Sequence, residues 1–191
     1  MLSRIKPIVK HGTFCGKIIS IGKLCDADFS ISLKRLDGEL SKNAANELYC
    51  GLDALMNVMS EKSKGKLTIS LELSDDVPTE IEKNADQAYC INATDNKIEL
   101  IGYGEAGLYY AVNTFLQTIH RKGIEFFVPE MKILDFPDLK TRGHFIETRF
   151  GSNLMTLEDW KSVIDNMASM KLRREEIDSF LEKIENVIPK D

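Results

Sequence analysis

The sequence predicts an α+β fold: a mostly antiparallel sheet with two helices packed on one face. Three observations carry that expectation. Short β-leaning runs precede, separate and follow two stretches of helical periodicity. The segment Lys66-Leu67-Thr68-Ile69-Ser70-Leu71-Glu72-Leu73 alternates polar and apolar residues, as a half-buried strand does. Asp95-Asn96 joins two apolar runs in the manner of a hairpin turn. A sheet and helices that are each apolar on one side must cover one another, which gives two layers.

In chain order, Ile5–Val9 and Thr13–Ile21 are β-leaning runs separated by His11-Gly12, which suggests a hairpin or an edge pair. Phe29–Leu36 admits two readings. Phe29, Ile31 and Leu33 alternate like a strand, whereas Phe29, Leu33, Leu36 and Leu40 fit a helix; Asp37-Gly38 marks a break. From Ser41 onward the pattern is helical, with Ala45, Leu48, Leu52, Leu55 and Met59 on one stripe. Lys62 to Lys66, with Gly65, is expected to end that helix.

Ser74–Asn84 is an acidic loop carrying Pro78, and Ala88–Ala93 and Lys97–Ile101 are two strands. Gly104-Glu105-Ala106-Gly107 opens a second helix whose apolar face is Leu108, Ala111, Val112, Phe115 and Ile119. Thr114 and Gln117 give it a polar side. Met131–Leu134 is a last strand before Asp135-Phe136-Pro137. Downstream, Thr156–Leu172 is amphipathic, and Trp160 falls on its Leu157, Ile164, Met167 stripe. That position makes Trp160 a core anchor more readily than a sugar-stacking platform.

Composition excludes several classes of function. A hydrophobic fraction of 43% and a charged fraction of 29% over 191 residues belong to a chain that can bury a core. The net charge of −5 is interspersed, and the one basic cluster, Lys171–Arg174, runs straight into Glu175-Glu176. Nothing forms the basic stripe of a nucleic-acid binder. No apolar run approaches the ~18 residues of a membrane span, and no signal-peptide pattern opens the chain. Cys15, Cys25, Cys50 and Cys90 lack C-x-x-C spacing, so no metal site and no cofactor is expected. Cys50 and Cys90 are read as small, buried, reduced hydrophobes.

Two blocks of sequence carry a resemblance. The first runs from Asp86-Gln87-Ala88-Tyr89 through Ile98-Glu99-Leu100 to Glu105-Ala106-Gly107-Leu108-Tyr109-Tyr110-Ala111-Val112-Asn113-Thr114-Phe115-Leu116-Gln117, a pattern of the form E-A-G-L-x-Y-A-x-x-T-x-x-Q. The second is Asp135-Phe136-Pro137, Arg142-Gly143, the apolar run His144–Arg149, the loop Gly151-Ser152-Asn153 and a helix ending Met167-Ala168-Ser169-Met170-Lys171-Leu172. Together they resemble the small accessory domain, and the first strand and helix of the (β/α)₈ barrel, of family 20 glycoside hydrolases, the β-N-acetylhexosaminidases. Arg142-Gly143, Ile146-Glu147 and Phe150-Gly151 are also similar to a motif of the family 84, O-GlcNAcase-like enzymes. Glu147 stands where the hexosaminidases carry Asp, and Arg149 falls one place early, so the sugar is left open.

That resemblance implies an accessory domain over 1–135 and the first barrel strand and helix over 136–172; the last nineteen residues depart from it, with Ile177, Phe180, Leu181, Ile184 and Val187 on one face of a terminal amphipathic helix over 173–191. It implies substrate-assisted hydrolysis of N-acetylhexosamine-containing glycans, run by a carboxylate pair at the fourth barrel strand. A barrel needs ~250 residues, so the chain alone is expected to be inactive and to support a missing catalytic barrel. The alternative is a stand-alone carbohydrate-binding or protein-interaction module. Asp75-Asp76, Glu158-Asp159 and Glu175-Glu176 read as surface or helix-end carboxylates, and His11, His120 and His144 suggest no nucleophile or metal site. Arg142 is the single candidate substrate-binding residue. The matching arginine bonds sugar hydroxyls in the family, and in this chain it could instead pair with Asp135 or Asp138. Self-association, or a partner covering the barrel-fragment edge, is a further expectation. Localisation stays open, although family members are often exported.

Overall fold

The computed structural model describes residues 9–58, 65–143 and 155–172. The chain forms two compact units, 1–138 and 139–191. In chain order the first contains strands β1 (His11–Lys23), β2 (Asp26–Ala27) and β3 (Phe29–Lys34), helix α1 (Glu39–Met56) and strand β4 (Leu67–Leu73). A 3₁₀ turn (Ala85–Gln87) then leads to β5 (Tyr89–Thr94) and β6 (Lys97–Gly102), followed by helix α2 (Glu105–Thr118), β7 (His120–Lys122) and β8 (Glu125–Asp135). The strands lie in the order β2-β1-β8-β5-β6-β4-β3, with β7 also on β8.

The sheet is mixed. Among the described residues β3 pairs with β4, and β4 with β6, in parallel, while the remaining pairings are antiparallel. The expectation of a mostly antiparallel sheet therefore needs amending at its β3-β4-β6 end. For β3 and β4 the cause is α1, which returns the chain across the sheet so that β4 sets out beside β3 in the same direction, and β6, the second strand of a hairpin, then lies against β4 in that same sense. The Asp95-Asn96 hairpin then forms as expected, pairing Thr94 with Lys97 and Tyr89 with Gly102.

The two readings of Phe29–Leu36 resolve in favour of a strand, with Phe29 fully buried opposite Leu67. Leu48 and Leu52 of α1, Ile69 of β4, Ile91 of β5, Ile98 of β6 and Phe115 of α2 are fully buried in one cluster. This shared core is why the alternation in β4 and the stripes of both helices could be read from sequence. Gly107 sets how closely α2 approaches the sheet. A Cβ there would lie 2.0 Å from the Ala88 carbonyl oxygen, so only glycine fits without moving backbone.

Several expectations are corrected. His11-Gly12 is not a hairpin turn: both residues lie inside β1 and pair with Leu134 and Ile133 of β8. Residues 5–8 of the expected partner run lie outside the described residues. Helix α1 ends at Met56, before Lys62, where Asn57 takes the left-handed conformation (φ 54°, ψ 51°) that glycine usually supplies at a helix end. Strand β8 is far longer than Met131–Leu134, because Pro129 is tolerated beside a β1 bulge between Phe14 and Ile18. Cys15, Cys25 and Cys50 are exposed and Cys90 is half-buried, all as free thiols, so the buried reading fails for Cys50.

In the second unit, α3 (Leu157–Ser169) starts with a reciprocal cap. Thr156 Oγ1 accepts from the Asp159 amide and Asp159 accepts from the Thr156 amide, so the Glu158-Asp159 pair belongs to a helix start. Trp160 is buried on this helix, as expected of an anchor. The expected barrel strand with His144, Glu147 and Arg149, and the terminal helix over 173–191, lie outside the described residues.

Candidate functional site

Among the described residues, three places gather polar chemistry. The first lies where the chain leaves the sheet. Tyr89, the first residue of β5, is directly opposite Asp135, the last of β8. The Tyr89 hydroxyl donates to Asp135 Oδ2 at 2.8 Å and sits 2.7 Å from Thr114 Oγ1 of α2. Tyr89 has one proton and gives it to the carboxylate, so Thr114 is the donor of the second bond. Asp135 Oδ1 accepts from the Lys10 amide at 2.9 Å. Thr114 is fully buried, which corrects its expected place on a polar helix side. Burial, then the nearby Asp135 charge, holds the Tyr89 phenol well above its usual range.

Next along the chain, Phe136 is buried against Ile81 and Ala88, and Asn84 Nδ2 donates to the Pro137 carbonyl at 2.8 Å. Asp138 pairs with Lys10 at 2.6 Å and Lys83 at 3.1 Å. The bond from Lys10 is the main cause holding its carboxyl below the ordinary range.

The second place is an open cleft of about 220 Å³ at the carboxyl ends of β3, β4 and β6. Arg35, Asp37, Asp75, Tyr103 and Glu105 line it, beside the first turns of α1 and α2. Arg35 reaches Asp75 at 2.6 Å, and both are exposed. Asp75 is thus in a solvated turn, as read from sequence. Glu105, in the first turn of α2, accepts from the Ser41 amide in the first turn of α1 at 3.1 Å. One helix thereby caps the other, and a carboxylate faces the positive end of a helix dipole. Burial pushes the Tyr103 phenol up to about 12.

The third place is Arg142, in the second unit. Its Nε and Nη2 donate to the Lys171 carbonyl at 3.0 and 2.6 Å, and Nη1 donates to the Leu139 carbonyl at 2.7 Å. Lys171 follows α3 in a left-handed conformation (φ 61°), so the guanidinium fastens the turn just beyond the carboxyl end of that helix, where a cation is favoured. Among the described residues no group of three or more His, Cys, Asp or Glu could hold a metal ion, and no helix is long and apolar enough to cross a membrane.

Sequence reasoning singled out Arg142 and missed the Tyr89–Thr114–Asp135 network. Its signal was present: a tyrosine opening one strand, an aspartate closing another, and a threonine one turn from a helix's apolar face.

The model for glycosyl hydrolase family 20, domain 2, matches residues 25–136, more than half the chain. The chain belongs to glycosyl hydrolase family 20. A curated β-N-acetylhexosaminidase from Cellulomonas fimi is 30% identical over 105 residues, which cover 54% of this chain and 20% of that protein. Among solved structures, Flavobacterium johnsoniae chitobiase superposes with a TM-score of 0.68 at 18% identity, over 89% of this chain and 26% of its own. The Vibrio harveyi family 20 exo-β-N-acetylglucosaminidase, solved in complex with N-acetylglucosamine, gives 0.64 at 17%, over 89% and 24%. At these identities the structures show a shared fold. The chain spans about a fifth to a quarter of the length of these relatives. Within the matched segment the run 105–117 now has a physical meaning: Glu105 caps α1, Gly107 admits the Ala88 carbonyl and Thr114 holds Tyr89.

Proposed function

We propose that this chain is the non-catalytic N-terminal part of a family 20 glycosidase acting on N-acetylhexosamine-containing glycans, and that it supports a catalytic barrel. The observation carrying this is the use of the motif residues. Glu105, Gly107, Thr114 and Asp135 all lie within the segment matched to domain 2, and each holds helices, sheet and chain exit together. The division into 1–135, 136–172 and 173–191, with 136–172 as the opening strand and helix of a barrel, belongs to the same proposal. The likeness to whole family 20 enzymes, which extends over 89% of the chain and so past residue 136, supports it.

The test is direct. The chain, incubated with a chromogenic β-N-acetylglucosaminide, gives no turnover above buffer. Turnover abolished by a transition-state-analogue hexosaminidase inhibitor would overturn the reading. Arg142 is proposed as the sugar-contacting residue once a barrel is complete. A planar guanidinium held by backbone carbonyls presents a fixed fork to adjacent hydroxyls. In such a completed enzyme Arg142→Ala lowers kcat/KM by ~10- to 100-fold, the loss of one charged hydrogen bond. An unchanged kcat/KM would remove Arg142 from the site.

A further inference from the structure

We propose that residues 135–138 form a clasp, built by the first unit, which fixes the direction in which the chain leaves the sheet. The proposal rests on the reading of the chain as the support of a catalytic barrel. Four consecutive residues are each anchored, by Lys10, by Tyr89 of β5 or by the segment 81–88. Asp135 accepts from the Tyr89 hydroxyl of β5 and from the Lys10 amide just before β1. Phe136 is buried, with its ring against Ile81 and Ala88 and the Lys10 ammonium 4.2 Å from the ring centroid. The Pro137 carbonyl accepts from Asn84, which is held in a left-handed conformation (φ 51°) at the 3₁₀ turn. Asp138 takes both Lys10 and Lys83.

Lys10 therefore touches three of the four residues, through its amide, its ammonium and its cation–π contact. Proline fixes its own φ, and its missing N–H leaves only the carbonyl to satisfy. A flexible linker has the opposite composition, rich in glycine and serine and free of side-chain anchors. The ion pairs on Asp138 are exposed, so they add little to global stability. Their effect is to restrict one short segment. The exit direction is thus a property of the domain, set before any further chain arrives.

Backbone ¹⁵N relaxation on this chain tests the clasp. The Phe136 and Asp138 amides should have order parameters near 0.85, those of rigid backbone. In Lys10→Met/Lys83→Met, which keeps the aliphatic stems, Asp138 should fall below about 0.6. Strands β5 and β8 and the urea midpoint should stay unchanged. Asp138→Asn should do the same, while Phe136, whose buried ring and proline neighbour are untouched, stays ordered. An Asp138 already below about 0.6 in the parent chain, or unchanged in the double variant, overturns the clasp. Those outcomes leave the functional reading intact, whereas inhibitor-sensitive turnover by the chain would overturn that reading and leave the clasp standing.

Discussion

Tyr89→Phe is the most informative single change in this domain, because it deletes one atom and leaves the ring in place. The oxygen removed joins β5, α2 and β8, through bonds of 2.7 Å to Thr114 and 2.8 Å to Asp135. The neutral Tyr–Thr bond is worth about 1 kcal/mol and the bond to the carboxylate about 1.5–3 kcal/mol. Thr114 is fully buried, so water does not replace the lost partner there. The expected loss is therefore about 2.5–4 kcal/mol, which lowers the melting temperature by roughly 10 °C. Urea denaturation followed by circular dichroism measures it, with an unchanged m-value as the control for compactness. Adding Thr114→Val completes a double-mutant cycle, for which a coupling of about 1 kcal/mol or more is expected. A loss under about 1 kcal/mol, or coupling within about 0.3 kcal/mol of zero, would refute the claim that these residues act as one network.

The same phenol makes stability depend on alkaline pH. The folded state keeps Tyr89 protonated to higher pH than the unfolded chain, so its contribution is complete below about pH 10 and is withdrawn as pH rises above that. The urea midpoint should fall between pH 10 and 11, more shallowly in Tyr89→Phe; equal slopes would contradict the assignment. Gly107→Ala should cost about 2 kcal/mol or more despite alanine's better helix propensity, because its Cβ would meet backbone at 2.0 Å. Neutral or stabilising behaviour in urea would show that α2 can move off the sheet. Glu105→Ala should cost about 1–2 kcal/mol by uncapping α1, and Glu105→Gln about half of that, since the amide still accepts from Ser41 without facing the helix dipole with charge. Equal losses in the two would show that charge contributes nothing there.

Elements whose pattern came from one buried face were readable in advance. Ile69 and Leu71 of β4 alternate, and Leu48, Leu52, Leu108 and Phe115 recur at helical spacing, because all pack into the same core. Pairing partners were harder to read. Nothing local to Leu67–Leu73 says whether its neighbours run parallel, since that depends on where α1 returns the chain. Strand β8 runs through Pro129, beyond the expected Met131–Leu134, because the missing donor matters only if the opposing strand needs it, and there β1 bulges. Helix α1 ended early because Asn57, not glycine, takes the left-handed cap. Arg142 could be named from its motif, whereas its carbonyl partners depend on how α3 ends.

One pattern in this chain shows how far a motif can be trusted without its surroundings. Gly102-Tyr103-Gly104-Glu105-Ala106-Gly107 has the G-x-G-x-x-G spacing of a dinucleotide-binding turn, and it stands between a strand and a helix as that turn does. The cleft it borders also lies at the carboxyl ends of parallel strands, where such ligands bind. Physical detail argues otherwise. A Cβ at Gly102 would strike the Leu108 amide at 2.4 Å, at Gly104 the Asp86 carbonyl at 2.3 Å, and at Gly107 the Ala88 carbonyl at 2.0 Å. All three glycines therefore admit this protein's own backbone, where a nucleotide fold would need one to admit a pyrophosphate. Glu105 places a carboxylate on the Ser41 amide at the rim of the cleft and Asp37 lines it, while Arg35 is paired with Asp75, so a phosphate would meet like charge. The same spacing serves close packing here, and the start of the neighbouring helix α1 already holds the domain's own carboxylate.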